Sequence, residues 1–224
     1  MPLRAILFDF DGVLVESNEI KSLAFHDLYL GHGTEAASSA LDIHVRHHGA
    51  SRFEKFAIMH REILGREITA AESAALGEQF AEICFERVCA CPAVAGARDV
   101  LELWAARIRL SIVSATPQDE LRAIVKARGL TPFFRHILGK PGSKLDNINQ
   151  ILRQDRLAPG DALFVGDQIS DYEAAHRAGL PFIARAAGPA AEAFRELPGC
   201  AAIVPDLTDF SLQLDRLDTA AARP

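Results

Sequence analysis

Cysteine, tryptophan, tyrosine and methionine are scarce here, at four, one, two and two among 224 residues. Cys84, Cys89, Cys91 and Cys200 have neither the paired spacing of a zinc site nor the density of a disulfide scaffold, so reduced thiols in a cytoplasm are expected. Basic residues are also short: 24 Lys and Arg stand against 30 Asp and Glu, for a formal charge of -6. That balance argues against a nucleic-acid partner, because phosphate backbones are bound by clustered cations. No apolar run is long enough to span a bilayer and no charged, apolar leader opens the chain, so neither membrane insertion nor export is expected. Repeats and low-complexity segments are missing as well, and nothing signals an oligomeric state. A small solute is the expected ligand.

What is present is enough for a sizeable core, since 49% of the residues are hydrophobic. Short apolar runs recur: AILF after Arg4, LSIV after Arg109, HIL after Arg135, ALFV after Asp161, then PFIA and AAIV. Amphipathic stretches such as PQDELRAIVKARG and KLDNINQILRQDR lie between them. Strands apolar on both faces, alternating with helices, describe a parallel sheet sandwiched by helices, which places the chain in the α/β class. Residues 18–91 break the pattern. They show helical periodicity in EIKSLAFHDLYL, SRFEKFAIMHREIL and AAESAALGEQFAEICFERV, and no strand. Two domains are therefore expected, a core from 1–17 and 92–224 and a helical insertion over 18–91 that reads as a lid, with Pro92 and Gly96 marking the return.

The first strand ends in DFDGVLVES, which sets Asp9 and Asp11 where their charges repel. Ligands of open parallel sheets bind beyond the carboxyl ends of the strands. Two close carboxylates there ask for a cation, an acid–base role, or both. The blander reading is a turn in which one aspartate caps a helix and the other is solvated. A calcium loop fits less well, because Gly12 directly follows Asp11 and a strand leads in.

ALFVGDQISDYEAA repeats the construction, with Asp167 at a strand end and Asp171 a turn later in a helix expected to begin near Ser170. Oxygen donors without His or Cys suit a hard cation such as Mg²⁺, although an aspartate cap would account for this segment taken alone. LSIVSATPQDEL places Ser114 at another strand end before a helix expected around Pro117, where a hydroxyl and open N–H groups can meet an anion; an ordinary cap is the alternative. HILGKPGSKLDNINQIL offers Lys140 and Lys144, either of which can neutralise carboxylate and phosphate or stand in solvent. Lys144, at the helix start, is favoured.

The ordered set DFDGVLVES, SIVSAT, GKPGSK and GDQISD resembles the four motifs of the haloacid dehalogenase-like (HAD) superfamily, in the subfamily with a helical cap after the first strand, near its phosphoglycolate phosphatase and β-phosphoglucomutase branches. The likeness spans nearly the whole chain. It implies a Rossmann-like core with a mobile cap and a small phosphorylated metabolite as substrate, such as a sugar phosphate or phosphoglycolate. By that resemblance Asp9 attacks phosphorus to form an aspartyl-phosphate, and Asp11 protonates the leaving alcohol and then activates water. Mg²⁺ would be held by Asp9, Asp167 and the Asp11 backbone carbonyl, with Asp171 as ligand or support. Ser114 and Lys144, with Ala115 beside them, would bind phosphoryl oxygens, and Gly12 would permit the tight chain path.

Other chemistries on this architecture remain. Carbon–halogen cleavage needs neither the second aspartate nor a metal, and both are provided for here. A phosphosugar mutase uses the same aspartates, and a binding module that has lost catalysis is a further rival. In the insertion, HVRHHGASRFEKF gathers His44, Arg46, His47, His48, Arg52 and Lys55. Arg52 and Lys55 are candidate substrate contacts, against a plain solvated helix face, and the histidines lack the companion ligands of a metal site. Phe53, Phe56, Phe80 and Phe85 are expected to pack the insertion, Trp104 to join the core, and LDTAAARP to fray.

Overall fold

The computed structural model describes residues 3–47 and 50–214. His48 and the LDTAAARP tail lie outside the described residues. All six apolar runs form strands: β1 (Ala5–Phe8), β2 (Arg109–Pro117), β3 (His136–Lys140), β4 (Ala162–Gly166), β5 (Phe182–Arg185) and β6 (Cys200–Val204). They build one parallel sheet in the order β3-β2-β1-β4-β5-β6. Strand order reverses at β1, whose Phe8 pairs with Ile112 of β2 on one side and Val165 of β4 on the other. Chain crossovers leave β1 in opposite directions, and the carboxyl end of a strand at such a reversal is where open parallel sheets bind ligands.

The helices are, in chain order, α1 (Asn18–Tyr29), α2 (Thr34–Arg46), α3 (Arg52–Leu64), α4 (Ala70–Ala90), α5 (Ala97–Ala105), α6 (Gln118–Ala127), α7 (Lys144–Asp155), α8 (Ile169–Arg177) and α9 (Pro189–Glu192). Backbone contacts separate two compact units, one reaching to Glu16 and resuming at Pro92, the other Ser17–Cys91.

In the sheet unit, β1 and β4 are buried along their whole length, which is why both read as uninterrupted apolar runs. One side of the sheet packs Leu7, Phe164 and Phe182 against Ile148 and Ile151 of α7 and Ala175 of α8. Trp104 departs from expectation. It is only half-buried, because its indole N–H donates to Ser211 Oγ at 3.1 Å and so keeps one edge in a polar setting at the periphery.

In the helical unit, α3 and α4 begin with reciprocal capping boxes, Ser51 with Glu54 and Thr69 with Glu72. Their inner faces join Phe25, Tyr29, Ile43, Phe56, Met59 and Phe80 in a separate core. Phe56 and Phe80 pack as expected, whereas Phe53 and Phe85 are 50% and 38% exposed because they fall off the buried stripe. Helix α2 was not expected. Much of its buried face is Ala37 and Ala40, whose small side chains give little periodic signal.

At the amino end of the sheet, the fully buried Asp155 carboxylate ends α7 and accepts from Arg135 Nε at 2.7 Å, with His136 Nε2 at 3.2 Å. Burial opposes its ionisation, but the Arg135 and His136 contacts outweigh that and hold the carboxyl below the usual range. A depressed carboxyl stabilises the fold above its unfolded pKa, and that contribution fades as pH falls through the lower folded value. Asp155→Ala should therefore cost about 1–3 kcal/mol at pH 7. Urea unfolding is expected to show the gap from wild type closing below pH ~4, near the ordinary aspartate value.

Candidate active site

Asp9 follows the last residue of β1 with only 5% of its surface exposed. Its N–H donates to the Val165 carbonyl at 2.9 Å, which continues the β1–β4 ladder one residue beyond the strand. The Asp9 carboxylate accepts from the Phe10 N–H at 2.8 Å. Beside it, β4 ends at Gly166 and delivers Asp167, whose Oδ2 accepts from the Gln168 side chain at 2.9 Å. Asp171 lies in the first turn of α8, fully buried, and its Oδ2 accepts the N–H groups of Gln168 and Asp167 at 3.1 and 3.3 Å. The aspartate expected as a rival cap thus does close the start of α8, from the third helical position with Gln168 at the N-cap, and its other oxygen bonds Lys144.

Oxygens of Asp9, Asp167 and Asp171 all lie within 4.8 Å of one another. Lys144, in the first turn of α7 after the Ser143 cap, sets its ammonium 2.9 Å from Asp9 Oδ2 and also bonds Asp171 Oδ1. It is Lys144 that meets the carboxylates; Lys140 pairs through its backbone with Pro117 at the end of β3. Burial raises the Asp9 carboxyl, Lys144 draws it back, and the neighbouring Asp171 and Asp11 raise it again, leaving it pushed up to about 7. Burial likewise raises Asp171. For Lys144, burial alone would favour the neutral amine, but Asp171 and Asp9 more than offset that and keep it charged.

One ammonium does not balance three carboxylates in so small a volume. The donors are all oxygens, two of the three residues are buried, and no soft ligand intervenes, so the chemistry fits a hard divalent cation such as Mg²⁺.

Ser114 is buried, and it does not cap α6, whose N-cap is Pro117. Its hydroxyl accepts the N–H of Thr116 at 3.1 Å inside an irregular stretch of β2, with Ala115 exposed between them. Gly12, with φ of 71°, turns the chain just after Asp11 in a conformation that favours glycine. Thr116, Gln118 and Asn147 were not among the expected site residues. Thr116 Oγ1 donates to Asp11 Oδ2 at 3.0 Å, the Gln118 side chain bridges Ile137 O and Gly139 N, and Asn147 donates to Gly139 O at 3.1 Å. The sequence signal for them was a polar residue within or shortly after a motif, Thr116 closing SIVSAT, Gln118 two residues on and Asn147 shortly after GKPGSK.

In the helical unit, Arg52 is half-buried, donates to the Gly77 carbonyl at 3.3 Å and lies over the Phe80 ring. Lys55 and His44 are buried and contact each other at 3.0 Å, so neither stands on the solvated face that the charge cluster suggested. An amphipathic stem lets lysine sink into an aromatic core while its head finds a nitrogen acceptor.

Gly166 sets how closely Asp171 approaches the strand: a Cβ there would fall 2.4 Å from Asp171 Cβ. Gly166→Ala is expected to cost about 1–3 kcal/mol in urea unfolding through this clash. A change below ~0.5 kcal/mol, the scatter of ordinary surface substitutions, would show that the strand end yields freely.

No curated protein sequence matches the chain. Among solved structures, the chain is similar to YfnB from Bacillus subtilis bound to magnesium, with TM-score 0.71, 17% identity, and 96% and 100% of the two chains covered. It is also similar to CbbY from Rhodobacter sphaeroides in complex with phosphate, with TM-score 0.72, 21% identity, and coverage of 95% and 99%. A third likeness is to a predicted phosphoglycolate phosphatase from Haemophilus somnus, with TM-score 0.72, 23% identity, and coverage of 94% and 97%. The family model for haloacid dehalogenase-like hydrolases matches residues 6–185, most of the chain, and with the ordered acidic motifs at the carboxyl ends of β1 and β4 this establishes that the chain belongs to that family.

Proposed function

We propose that the protein is a Mg²⁺-dependent phosphomonoester hydrolase of the cytoplasm, acting on a small phosphorylated metabolite through an aspartyl-phosphate on Asp9. The observation that carries this reading is the meeting of Asp9, Asp167 and Asp171 around Lys144 at the reversal point of the sheet. Magnesium in the YfnB structure and phosphate in the CbbY structure support the same chemistry.

In this reading Asp9, Asp167 and the Asp11 carbonyl, helped by Asp171, would hold the cation, which supplies positive charge where an anionic nucleophile approaches an anionic ester. An Asp9 oxygen forms the new bond to phosphorus. The bond from phosphorus to the leaving alcohol breaks, and the alcohol oxygen takes its proton from the Asp11 carboxyl. Asp11, now ionised, then accepts a proton from the water that attacks the aspartyl-phosphate, and free phosphate and Asp9 result. Ser114, the Ala115 backbone and Lys144 orient the phosphoryl oxygens, and Gly12 gives the chain beside them its turn. Arg52, and with it Lys55, are proposed from the basic cluster around them to contribute to substrate choice.

Phosphate release from a panel of phosphomonoesters is expected with Mg²⁺ and not with chelator. Asp9→Asn should lower it by about 10³-fold or more while the protein stays folded. Retained turnover in Asp9→Asn would remove Asp9 from the nucleophile role, and isomerisation of a phosphosugar without release would favour the mutase. With the preferred panel member, Arg52→Ala is expected to raise KM by roughly 10-fold, the scale of one lost charged contact; an unchanged KM removes Arg52 from substrate choice.

A further inference from the structure

Strand β2 loses its regular register with β3 between Val113 and Pro117. Ser114 Oγ accepts the Thr116 N–H across this irregularity, and the Thr116 hydroxyl is left to donate to Asp11 Oδ2 at 3.0 Å. The far side of the irregular stretch is fixed as well. Gln118 donates to the Ile137 carbonyl at 2.8 Å and accepts from the Gly139 N–H at 2.9 Å, tying the start of α6 to β3. A Cβ on Gly139 would come within 2.3 Å of the Thr116 carbonyl, so the Thr116 backbone lies directly against β3. Thr116 itself is 7% exposed. A buried hydroxyl whose backbone is held on both sides is a rigid donor, and its target is the proposed proton carrier.

We propose that Thr116 is a positioning residue for Asp11: by donating to Oδ2 it fixes the carboxyl rotamer from which Asp11 gives its proton to the departing alcohol. This rests on the phosphatase reading above. In the first half-reaction Asp9 bonds to phosphorus, the ester P–O bond breaks toward the alcohol oxygen, and that oxygen takes the Asp11 proton. The Thr116 hydroxyl keeps its own proton throughout, so its contribution is orientation.

Orientation of a general acid has a signature that a merely structural role lacks. A poor leaving group such as an alkoxide needs the proton, whereas p-nitrophenolate leaves nearly without it. The experiment measures kcat/KM with Mg²⁺ for phosphomonoesters running from p-nitrophenyl phosphate to simple alkyl phosphates, in wild type, Thr116→Val and Thr116→Ser. This ratio covers the steps up to alcohol release and excludes the later attack of water. Thr116→Val is expected to lose about 10- to 100-fold on alkyl esters, the scale of a misplaced catalytic group, and less than about 3-fold on p-nitrophenyl phosphate. Thr116→Ser, which keeps the hydroxyl, should follow the wild-type dependence. Thermal unfolding of each variant is recorded, and Thr116→Ala takes the same comparison if the valine variant does not fold. A loss equal across the series, or none, overturns the assignment to Thr116 alone. Failure of wild type to release phosphate from any ester with Mg²⁺ overturns the phosphatase reading and this inference with it.

Discussion

Repulsion among Asp9, Asp167 and Asp171 is the constraint around which the sheet unit is arranged. Two like charges about 4 Å apart repel by about 4 kcal/mol at an effective dielectric of ~20, and a whole domain is stable by only about 5–15 kcal/mol. Three carboxylates cannot be collected at one buried point without either protons or cations. The chain supplies one cation of its own, Lys144, and places it at the start of a helix whose Ser143 cap fixes the first turn. The remaining negative charge suits a hard cation, which under the proposed function would let the point accept a phosphate.

Asp171 shows how the cluster is kept rigid. One of its oxygens takes the two N–H groups at the start of α8, and the other faces Lys144. A side chain that closes a helix end cannot drift, so the helix cap and the charged site hold each other in place. Asp9 is held similarly, by the Phe10 N–H on its carboxylate and by a backbone bond that extends the β1–β4 ladder past the strand. The geometry of the candidate site is therefore inherited from secondary structure, whose hydrogen bonds have to be made in any case.

These features explain what was legible in the sequence. Strands buried on both faces leave unbroken apolar runs, and all six were readable together with the class of sheet. The acidic motifs were readable because they stand at the ends of those runs. Helix α2 was not, since Ala37 and Ala40 bury a face without a hydrophobic stripe. The burial of Lys55, expected either as a substrate contact or on a solvated face, was not readable for a different reason: only packing reveals that it lies against His44 and Phe25. Thr116 escaped notice because its role comes from a break in strand register, which has no periodic trace. Residue types at strand ends could be read from the chain, but contacts created by irregular backbone could not.

One last contact network joins the site loop to the boundary of the inserted unit. Arg185, at the end of β5, donates to the Gly12 carbonyl at 3.2 Å and holds the Glu16 carboxylate with both terminal nitrogens, at 2.7 and 3.1 Å, while its Nε donates to Pro205 O. Glu16 N in turn donates to the Pro92 carbonyl, and Val15 pairs with Ala93 in an antiparallel bridge. The chain leaves and rejoins the sheet unit side by side, so closing the loop across the insertion depends on this short bridge rather than on the length of what is inserted. The same arginine that fixes this crossing also fixes the carbonyl next to Asp11. The boundary of the insertion and the turn that carries the proposed acid–base group thus share one anchor, whereas the carboxylate cluster is anchored separately by β1, β4 and α8.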